Sequence, residues 1–409
     1  IRDRLLAGAN EAFEMMEQMG AAPGAKWGDL ITGIYSASGD LAISSTGGVL
    51  IFSSLVHHPV KFIMKYWAND PTVGVRQGDI FMHNDSRYGN IHNTDQSLLL
   101  PIFVDDELVA WAGATVHEGE NGAIEPGGMP SAAESVYEEG LKLSPVKVGE
   151  NYRLKKDWVT FLQNSVRDPK LQLEDMKVRL HSVMRLRERI MRVLEDHGPE
   201  ALIIMLRKQL EDVAEEVRRR IRELPDGTTR TVSFADSTLR ESALIKLNMA
   251  VTVKGDTMIV DLRGSSPELL NRSINACQAS FKTMLFCGYM MNVWPDLPFT
   301  MAVFTPFEFI FDDKSIINGS FDTPQAMSLI PLFKTMTIAS VPMAKFNYSL
   351  PHRYTATVAP QYDQPATLIY GGMTQHAEFV GAVEKLVLLQ HALGRLRAAG
   401  GAEHLVQRQ

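Results

Sequence analysis

The sequence predicts an α+β protein whose mixed sheets flank a central helical hairpin. Runs of alternating apolar and polar residues, which are typical of strands, occur before residue 166 and again after residue 227. Between them, residues 169–224 place apolar side chains at helical spacing with charged residues in the gaps. We therefore expect three regions: an α/β region at 1–165, a helical hairpin at 166–227, and a strand-rich region with buried helices at 228–409.

The first region is predicted to start with a helix and to continue in strands. Residues 2–20 carry one apolar face and end at a glycine, as helices commonly do. Residues 29–45 alternate in polarity around Ser38-Gly39-Asp40, which predicts a hairpin. The remaining elements predicted here are a helix at 60–66, a polar loop from residue 78, two apolar strands, and an irregular loop rich in Gly and Pro at 118–130.

The second and third regions are predicted from their glycines, prolines and polarity patterns. Gly198 ends the first long helix, and Pro225-Asp226-Gly227 ends the second, so we expect the pair to fold as a hairpin. The third region should contain a strand at 231–234, a hairpin around residues 254–256, a long buried helix at 268–294, an aromatic strand at 303–311, short strands and loops at 316–374, and a helix at 378–399.

Composition limits the class of protein. With 409 residues, of which 45% are hydrophobic and 22% charged, the chain can bury substantial cores in two or three domains. A net charge of −7 argues against a surface that attracts nucleic acid, and no apolar run approaches the roughly 18 residues of a membrane span. The two cysteines, Cys277 and Cys287, lack metal-cluster spacing, which fits a reducing, cytoplasmic setting.

Three residues of the first region, His92, Asp95 and His117, form a candidate metal site. Two imidazoles and one carboxylate suit Mn, Fe or Zn better than Ca or Mg, and they leave positions on the ion for substrate or water. Residues three apart converge in a turn but face opposite sides of a strand, so residues 92–95 must lie in a loop. His117 would arrive from the end of the following apolar strand.

Other interpretations of these residues remain open from the sequence alone. A His-x-x-Asp pair in a polar loop is more often a surface hydrogen bond than a metal site. Glu118 could orient a ligand or transfer protons, but a solvated loop carboxylate is the favoured interpretation; Asp85 has a similar standing. The neighbouring His57 and His58 would point in different directions on any regular element, and no catalytic proton-transfer residue is identified.

A succession of short motifs in the first region resembles the hydantoinase B and oxoprolinase superfamily. The motifs are Gly78-Asp79, Asn84-Asp85, Gly89, His92-Asn-Thr-Asp95 and His117-Glu118-Gly119. Longer stretches, such as Glu125-Pro-Gly-Gly-Met-Pro130 and Phe161-Leu-Gln-Asn-Ser-Val-Arg167, are similar to the alpha subunits of acetone carboxylases. Hydantoinase-like members typically have Asn-Asp-Pro and His-Leu-Pro-Asp at the matching positions, so the present residues favour the carboxylase branch.

The resemblance implies a hydantoinase B-like fold and a cytoplasmic heterohexamer that contains beta and gamma subunits as partners. In such complexes ATP acts at the beta subunit, and the alpha subunit holds Mn²⁺ for carboxylation of acetone with bicarbonate to acetoacetate. The superfamily's metal ligands, two His and one Asp, fall on His92, Asp95 and His117. The sequence contains no Gly-x-x-x-x-Gly-Lys-Ser/Thr phosphate loop, in keeping with ATP at a partner subunit.

Two alternatives belong to other classes. The same metal site could serve an ATP-dependent hydrolase that opens hydantoin or 5-oxoproline rings. The chain could also be a non-catalytic scaffold subunit in which any ion is structural. Substrate tests separate the first alternative from a carboxylase, and replacement of His117 separates the second.

Overall fold

The computed structural model describes residues 1–348 except 293 and 295, together with the strands 361–363, 367–373 and 379–385. These residues form two compact units: unit 1 comprises 1–130, 137–212 and 299–302, and unit 2 comprises 131–136, 213–298 and 303–409. The long helical segment, which the sequence sets apart as a region of its own, is divided between the two units. No helix in the described part of the chain is both long enough and apolar enough to cross a bilayer.

Unit 1 is built around a seven-stranded sheet in which every neighbouring pair is antiparallel, in the order β2-β1-β5-β4-β3-β6-β7. The strands are β1 (Leu30–Ser36), β2 (Leu41–Ser44), β3 (Ile80–His83), β4 (Asp95–Val104), β5 (Glu107–His117), β6 (Val146–Glu150) and β7 (Arg153–Leu154). The helices are α1 (Arg2–Met19), α2 (Pro23–Lys26), α3 (Leu50–Leu55), α4 (His57–Phe62), which continues as a π-helical turn (Ile63–Trp67), α5 (Lys156–Ser165) and the first part of α6 (Pro169–Arg222).

The core of unit 1 lies where α1 and α6 pack on one face of this sheet. Apolar residues of both helices and of the central strands are buried together, among them Leu5, Met16, Leu98, Val183 and Ile190. The predicted first helix and the predicted hairpin at 29–45 are therefore confirmed, although Met19, placed on the apolar face, is 55% exposed.

Helix α6 is interrupted where the sequence predicts it. Gly198 has φ 80° and ψ 166°, and helical geometry resumes at the following proline. This conformation is open to glycine but strained for residues with a Cβ atom. The prediction of two helices separated at Gly198 is confirmed, whereas their arrangement as a hairpin stays a prediction.

The described part of unit 2 contains a four-stranded sheet in the order β11-β10-β9-β8, a three-stranded antiparallel sheet and two further helices. The elements are β8 (Gly227–Ser237), β9 (Ser242–Lys254), β10 (Thr257–Asp261), α7 (Gln278–Asn292), β11 (Phe307–Ile310), α8 (Leu329–Tyr348), β12 (Gln361–Asp363), β13 (Thr367–Met373) and β14 (Phe379–Lys385). The predicted hairpin around residues 254–256 is confirmed by the pairing of Lys254 with Thr257.

Several predictions for this unit are wrong. Helix α7 begins at Gln278, ten residues later than predicted, because residues 268–277 form turns in which the Asn275 amide binds backbone groups of the segment. Residues 329–348, predicted as strands and loops, form α8. Residues 379–385, predicted as helix, form β14, and the remainder of that predicted helix lies outside the described residues.

Candidate metal centre

A loop tied together by asparagine side chains presents the first candidate ligand. The Asn90 amide donates to three backbone carbonyls, those of Asn84, His92 and Asp95, at 3.1, 3.2 and 2.6 Å. The Asn84 amide donates to the carbonyl of Asn93 at 2.5 Å, and the Asn93 side chain accepts from the Ser86 amide at 3.0 Å. Side-chain amides thus replace the regular backbone pairing that a strand would offer here.

Sheet pairing brings the other two candidate ligands together. Asp95 is the first residue of β4 and lies directly opposite His117, the last residue of β5. Directly opposed residues in an antiparallel pair have side chains on the same face with Cβ atoms about 5 Å apart. His92 lies three residues before Asp95, and the Asp95 amide donates to its carbonyl at 3.2 Å in a turn. The predicted loop is therefore confirmed for residues 92–94, whereas Asp95 already begins β4.

The three side chains converge on one point. His117 Nδ1 lies 2.8 Å from Asp95 Oδ1, His92 Nε2 lies 3.1 Å from the same oxygen, and the two imidazole nitrogens are 3.1 Å apart. Two ligands bound at right angles by bonds of about 2.1 Å are about 3.0 Å apart, so the separations suit adjacent positions around one ion. Each residue offers one ligand atom to the shared point, so the residues present fit a divalent metal ion.

The charges of this site stabilise one another. Burial disfavours the imidazolium of His117, but the hydrogen bond to Asp95 and the nearby carboxylates of Asp29 and Glu118 outweigh it and raise the pKa of His117 to about 9. Burial also opposes ionisation of Asp95, yet the two histidines overcome it and lower the pKa of Asp95. Asp29, with Oδ2 at 3.9 Å from His117 Nδ1, was not singled out from the sequence. The site as a whole favours a cation.

Helix α2 packs directly against the end of β5. A Cβ atom added at Gly24 would lie 2.2 Å from the carbonyl oxygen of His117 and 3.0 Å from its Cβ. The amide of His117 in turn donates to the carbonyl of Asp29, which precedes β1. Only glycine allows this approach, and the close packing fixes the backbone that carries the His117 ring.

Glu118 is not the solvated carboxylate that the sequence favoured, so that interpretation is wrong. Its side chain is fully buried, with Oε1 2.7 Å from Arg179 Nη2 on α6. Burial, only partly offset by the guanidinium of Arg179, raises the pKa of Glu118. Because Glu118 follows His117 in the chain, its side chain points to the opposite face of the sheet.

The other residues considered from the sequence make contacts of their own. Asp85 caps a short 3₁₀ turn and forms an ion pair with Arg87 at 2.6 Å. His57 hydrogen-bonds the carbonyl of Ser54, and its ring lies 3.8 Å from that of His58, centroid to centroid. Within the described residues, His92, Asp95 and His117 form the group of His, Cys, Asp and Glu side chains arranged to hold an ion.

The fold and this site define a class: a mixed α+β protein whose central sheet carries a two-histidine, one-carboxylate set suited to a divalent metal. A family profile described as hydantoinase B/oxoprolinase matches residues 1–395. The chain belongs to the hydantoinase B/oxoprolinase family.

Two curated relatives and one solved structure are similar to this chain. The chain is 32% identical over 321 residues to the acetophenone carboxylase delta subunit of Aromatoleum aromaticum, which covers 77% of this chain and 45% of that protein. It is 31% identical over 236 residues to the acetone carboxylase alpha subunit of Xanthobacter autotrophicus, covering 57% of this chain and 30% of that protein. The chain thus spans less than half the length of these relatives.

The solved structure is a nucleotide-free acetone carboxylase that catalyses ATP-dependent carboxylation. Its similarity covers 93% of this chain and 52% of that chain, with a TM-score of 0.83 and 24% sequence identity. At this identity the likeness establishes the fold, and it confirms the predicted hydantoinase B-like class of mixed helices and sheets.

Proposed function

We propose that this chain is the metal-bearing subunit of an ATP-dependent ketone carboxylase that converts acetone and bicarbonate to acetoacetate. The observation that carries the proposal is the convergence of His92, Asp95 and His117, whose donor atoms lie within 3.1 Å of one another. The relatives named as ketone carboxylase subunits support the reaction class. Since one of them acts on acetophenone, that ketone is the first competitor to test.

His92, Asp95 and His117 would hold Mn²⁺, which when bound supplies stabilisation of the negative charge on an enolate or on the carboxyl donor. The side chain of Asp95 is fully buried and that of His92 nearly so, whereas 19% of the His117 side chain is exposed. The substrate therefore approaches from the His117 side. Burial opposes ionisation of Asp95, but the two histidines lower its pKa, so Asp95 would bind the ion as a carboxylate.

Exclusion of water is the second task of the chain. An enolate in contact with water is reprotonated, and carbon dioxide released from an activated carboxyl donor is hydrated. The loop at 118–130 contributes here, because Gly128 lies so close to Thr94 that an added Cβ would be 2.1 Å from its methyl group. Arg167 anchors the same loop through Glu120 at 3.0 Å. This packing keeps the inner side of the ligand loop dry.

ATP would act at a beta subunit, with a gamma subunit completing a heterohexamer. Relatives that are themselves named as subunits of carboxylases support an assembly of several subunits. The sequence also lacks a phosphate loop of the Gly-x-x-x-x-Gly-Lys-Ser/Thr type.

The test is substrate consumption by the purified complex. ATP- and bicarbonate-dependent loss of acetone is expected, and a His117→Ala complex should assemble normally but lose turnover. Bicarbonate-independent opening of hydantoin or 5-oxoproline would identify a hydrolase instead. A His117→Ala complex that assembles poorly while the residual complex turns over at the normal rate would identify a scaffold.

A further inference from the structure

Arg179, on helix α6, is buried although its side chain carries a charge. Arg179 is fully buried and is among the largest fully buried side chains of the described residues. A guanidinium is almost never placed in a protein core unless its donors are bonded, because removing its charge from water is costly. The contacts of Arg179 therefore indicate what it is there to hold.

Those contacts join the residues that follow two of the candidate ligands. Nη1 donates to the backbone carbonyl of Gln96 at 2.9 Å, and Nη2 donates to the Gln96 side-chain oxygen at 3.0 Å. Nη2 also lies 2.7 Å from Glu118 Oε1. Gln96 follows Asp95 on β4, and Glu118 follows His117 at the end of β5. The planar guanidinium of Arg179 thus contacts both chain segments that carry the ligands.

Because side chains alternate along a strand, the guanidinium of Arg179 lies behind the metal site. Asp95 and His117 face one side of the sheet, so Gln96 and Glu118 face the other, where α6 packs. Arg179 therefore contacts the residues behind the ligands, and it acts on the ligands by fixing the distance between the two strand ends.

Two neighbours of Arg179 on the same face of α6 extend the contact. Gln172 donates to the Gln96 side chain at 2.6 Å. Asp175 accepts from the amides of Ala21 and Ala22 at 2.6 and 2.7 Å, immediately before α2, the helix that packs on His117. Residues 172, 175 and 179 recur at helical spacing, so one stripe of α6 holds β4, β5 and α2 together.

We infer that Arg179 is a positioning residue that sets the separation of Asp95 and His117 and thereby the affinity of the site for its metal ion. The inference rests on the proposed metal-bearing function. Groups outside the ligand set that orient the ligands typically change metal affinity 10- to 100-fold when removed. Arg179 differs from such groups in reaching two ligands at once through the residues that follow them.

The test uses the full chain purified with the subunits that accompany it and stripped of metal by a chelator. The variant is Arg179→Met combined with Glu118→Gln, which removes both members of the contact so that neither charge stays alone in the core. The matched control is Arg185→Met combined with Glu11→Gln. It removes the contacts that two other arginines of α6 make with Glu11, Arg185 at 2.5 Å and Arg189 at 2.5 Å, which tie the helix to α1 but not to the ligand strands.

Circular dichroism establishes which variants fold, and Mn²⁺ titration followed by the EPR signal of the free ion gives the dissociation constant. We expect the folded Arg179→Met/Glu118→Gln protein to bind Mn²⁺ about 10- to 100-fold more weakly than the wild type. The control should stay within about threefold, although both variants change thermal stability. If the Arg179 variant proves insoluble, Arg179→Lys, which keeps one charge but cannot span both segments, should still weaken binding about tenfold.

Two results overturn the inference and are distinguishable from each other. A folded Arg179 variant with wild-type Mn²⁺ affinity overturns the inference alone and leaves the proposed function standing. A wild-type protein that binds no Mn²⁺ overturns both. Wild-type protein that binds Mn²⁺ without carboxylating ketones, and whose Arg179 variant binds it weakly, overturns only the proposed function.

Discussion

Replacing Gly24 with alanine tests whether packing of α2 against β5 sets the position of His117. The new Cβ would lie 2.2 Å from the His117 carbonyl oxygen, whereas Cβ contacts closer than 3.0 Å essentially do not occur. The helix and the strand end must therefore separate by the difference, about 0.8 Å. Such a shift exceeds the roughly 0.5 Å tolerance of preorganised sites.

The displacement has two expected consequences. Overpacking in a rigid region costs about 1–3 kcal/mol, so the free energy of unfolding should fall by that amount. The donor separations of 2.8 to 3.1 Å would no longer suit one ion, so Mn²⁺ affinity should fall at least tenfold. Urea denaturation and Mn²⁺ titration of the metal-stripped protein measure the two effects.

Gly119 supplies the control, because it lies two residues from His117 in the same segment. A Cβ there meets Pro23 at 3.4 Å, an ordinary contact. Gly119→Ala should therefore leave stability and Mn²⁺ affinity close to wild type. If Gly24→Ala behaves like Gly119→Ala in both measurements, the reasoning from close approach of α2 is refuted.

Three further predictions concern the loop, the histidines and the interrupted helix. Asn90→Asp replaces three donated hydrogen bonds with repulsion between oxygens, so it should lower the free energy of unfolding by about 2–4 kcal/mol and weaken Mn²⁺ binding. The control Asn164→Asp, at an exposed position of α5, should change neither quantity. Equal effects of the two substitutions would contradict the role of Asn90. Burial lowers the pKa of His57 and of His83 to about 4, whereas the unfolded chain takes up these protons below about pH 6.5. The free energy of unfolding should therefore fall by about 3 kcal/mol for each histidine between pH 6.5 and pH 4. Urea unfolding of His83→Gln should show a shallower dependence of this free energy on pH. A slope equal to that of the wild type would contradict this prediction. Gly198→Ala should lower the free energy of unfolding by about 1–3 kcal/mol. Backbone strain alone would cause this loss, because a Cβ there meets no described atom within 4 Å. A stability equal to wild type would show that the φ of 80° is not required.

The sequence was sufficient to select the three residues that the structure brings together. His92, Asp95 and His117 stand out because imidazole and carboxylate groups are concentrated at a strand end, and the pairing of β4 with β5 follows from two adjacent apolar runs. Whether these residues bind a metal ion stays a prediction. Asp29 gave no such signal, since it precedes β1 and meets His117 only through the non-sequential pairing of β1 with β5.

The prediction for Glu118 is wrong because its partner, too, is distant in the sequence. Its chain neighbours are polar and rich in glycine, which is typical of an exposed loop, and the partner that buries it lies 61 positions further along the chain. In a sequence, Arg179 is one of many charged residues between the apolar positions of a helix. Only the packing of α6 on the sheet shows that its face turns inward.

The wrong predictions for unit 2 have a different origin. Residues 329–348 are apolar on nearly every side and include Pro342, so the periodicity by which an amphipathic helix is recognised is missing. Residues 379–385 carry Val380 and Val383, which a short helix would also accept, and their strand form depends on pairing with β13. Tertiary contacts, and not local pattern, decide both segments.

The most direct test of the account is the metal content of the purified complex, measured by elemental analysis on the wild type and on Asp95→Ala, together with ATP- and bicarbonate-dependent acetone consumption. Asp95 is fully buried and contacts both histidines, so its removal should abolish binding without touching the surface of the protein. We expect about one Mn²⁺ per wild-type chain, and loss of both the ion and carboxylation in the variant. A wild-type complex without a divalent ion, or an Asp95→Ala complex that keeps both metal and activity, would contradict the account.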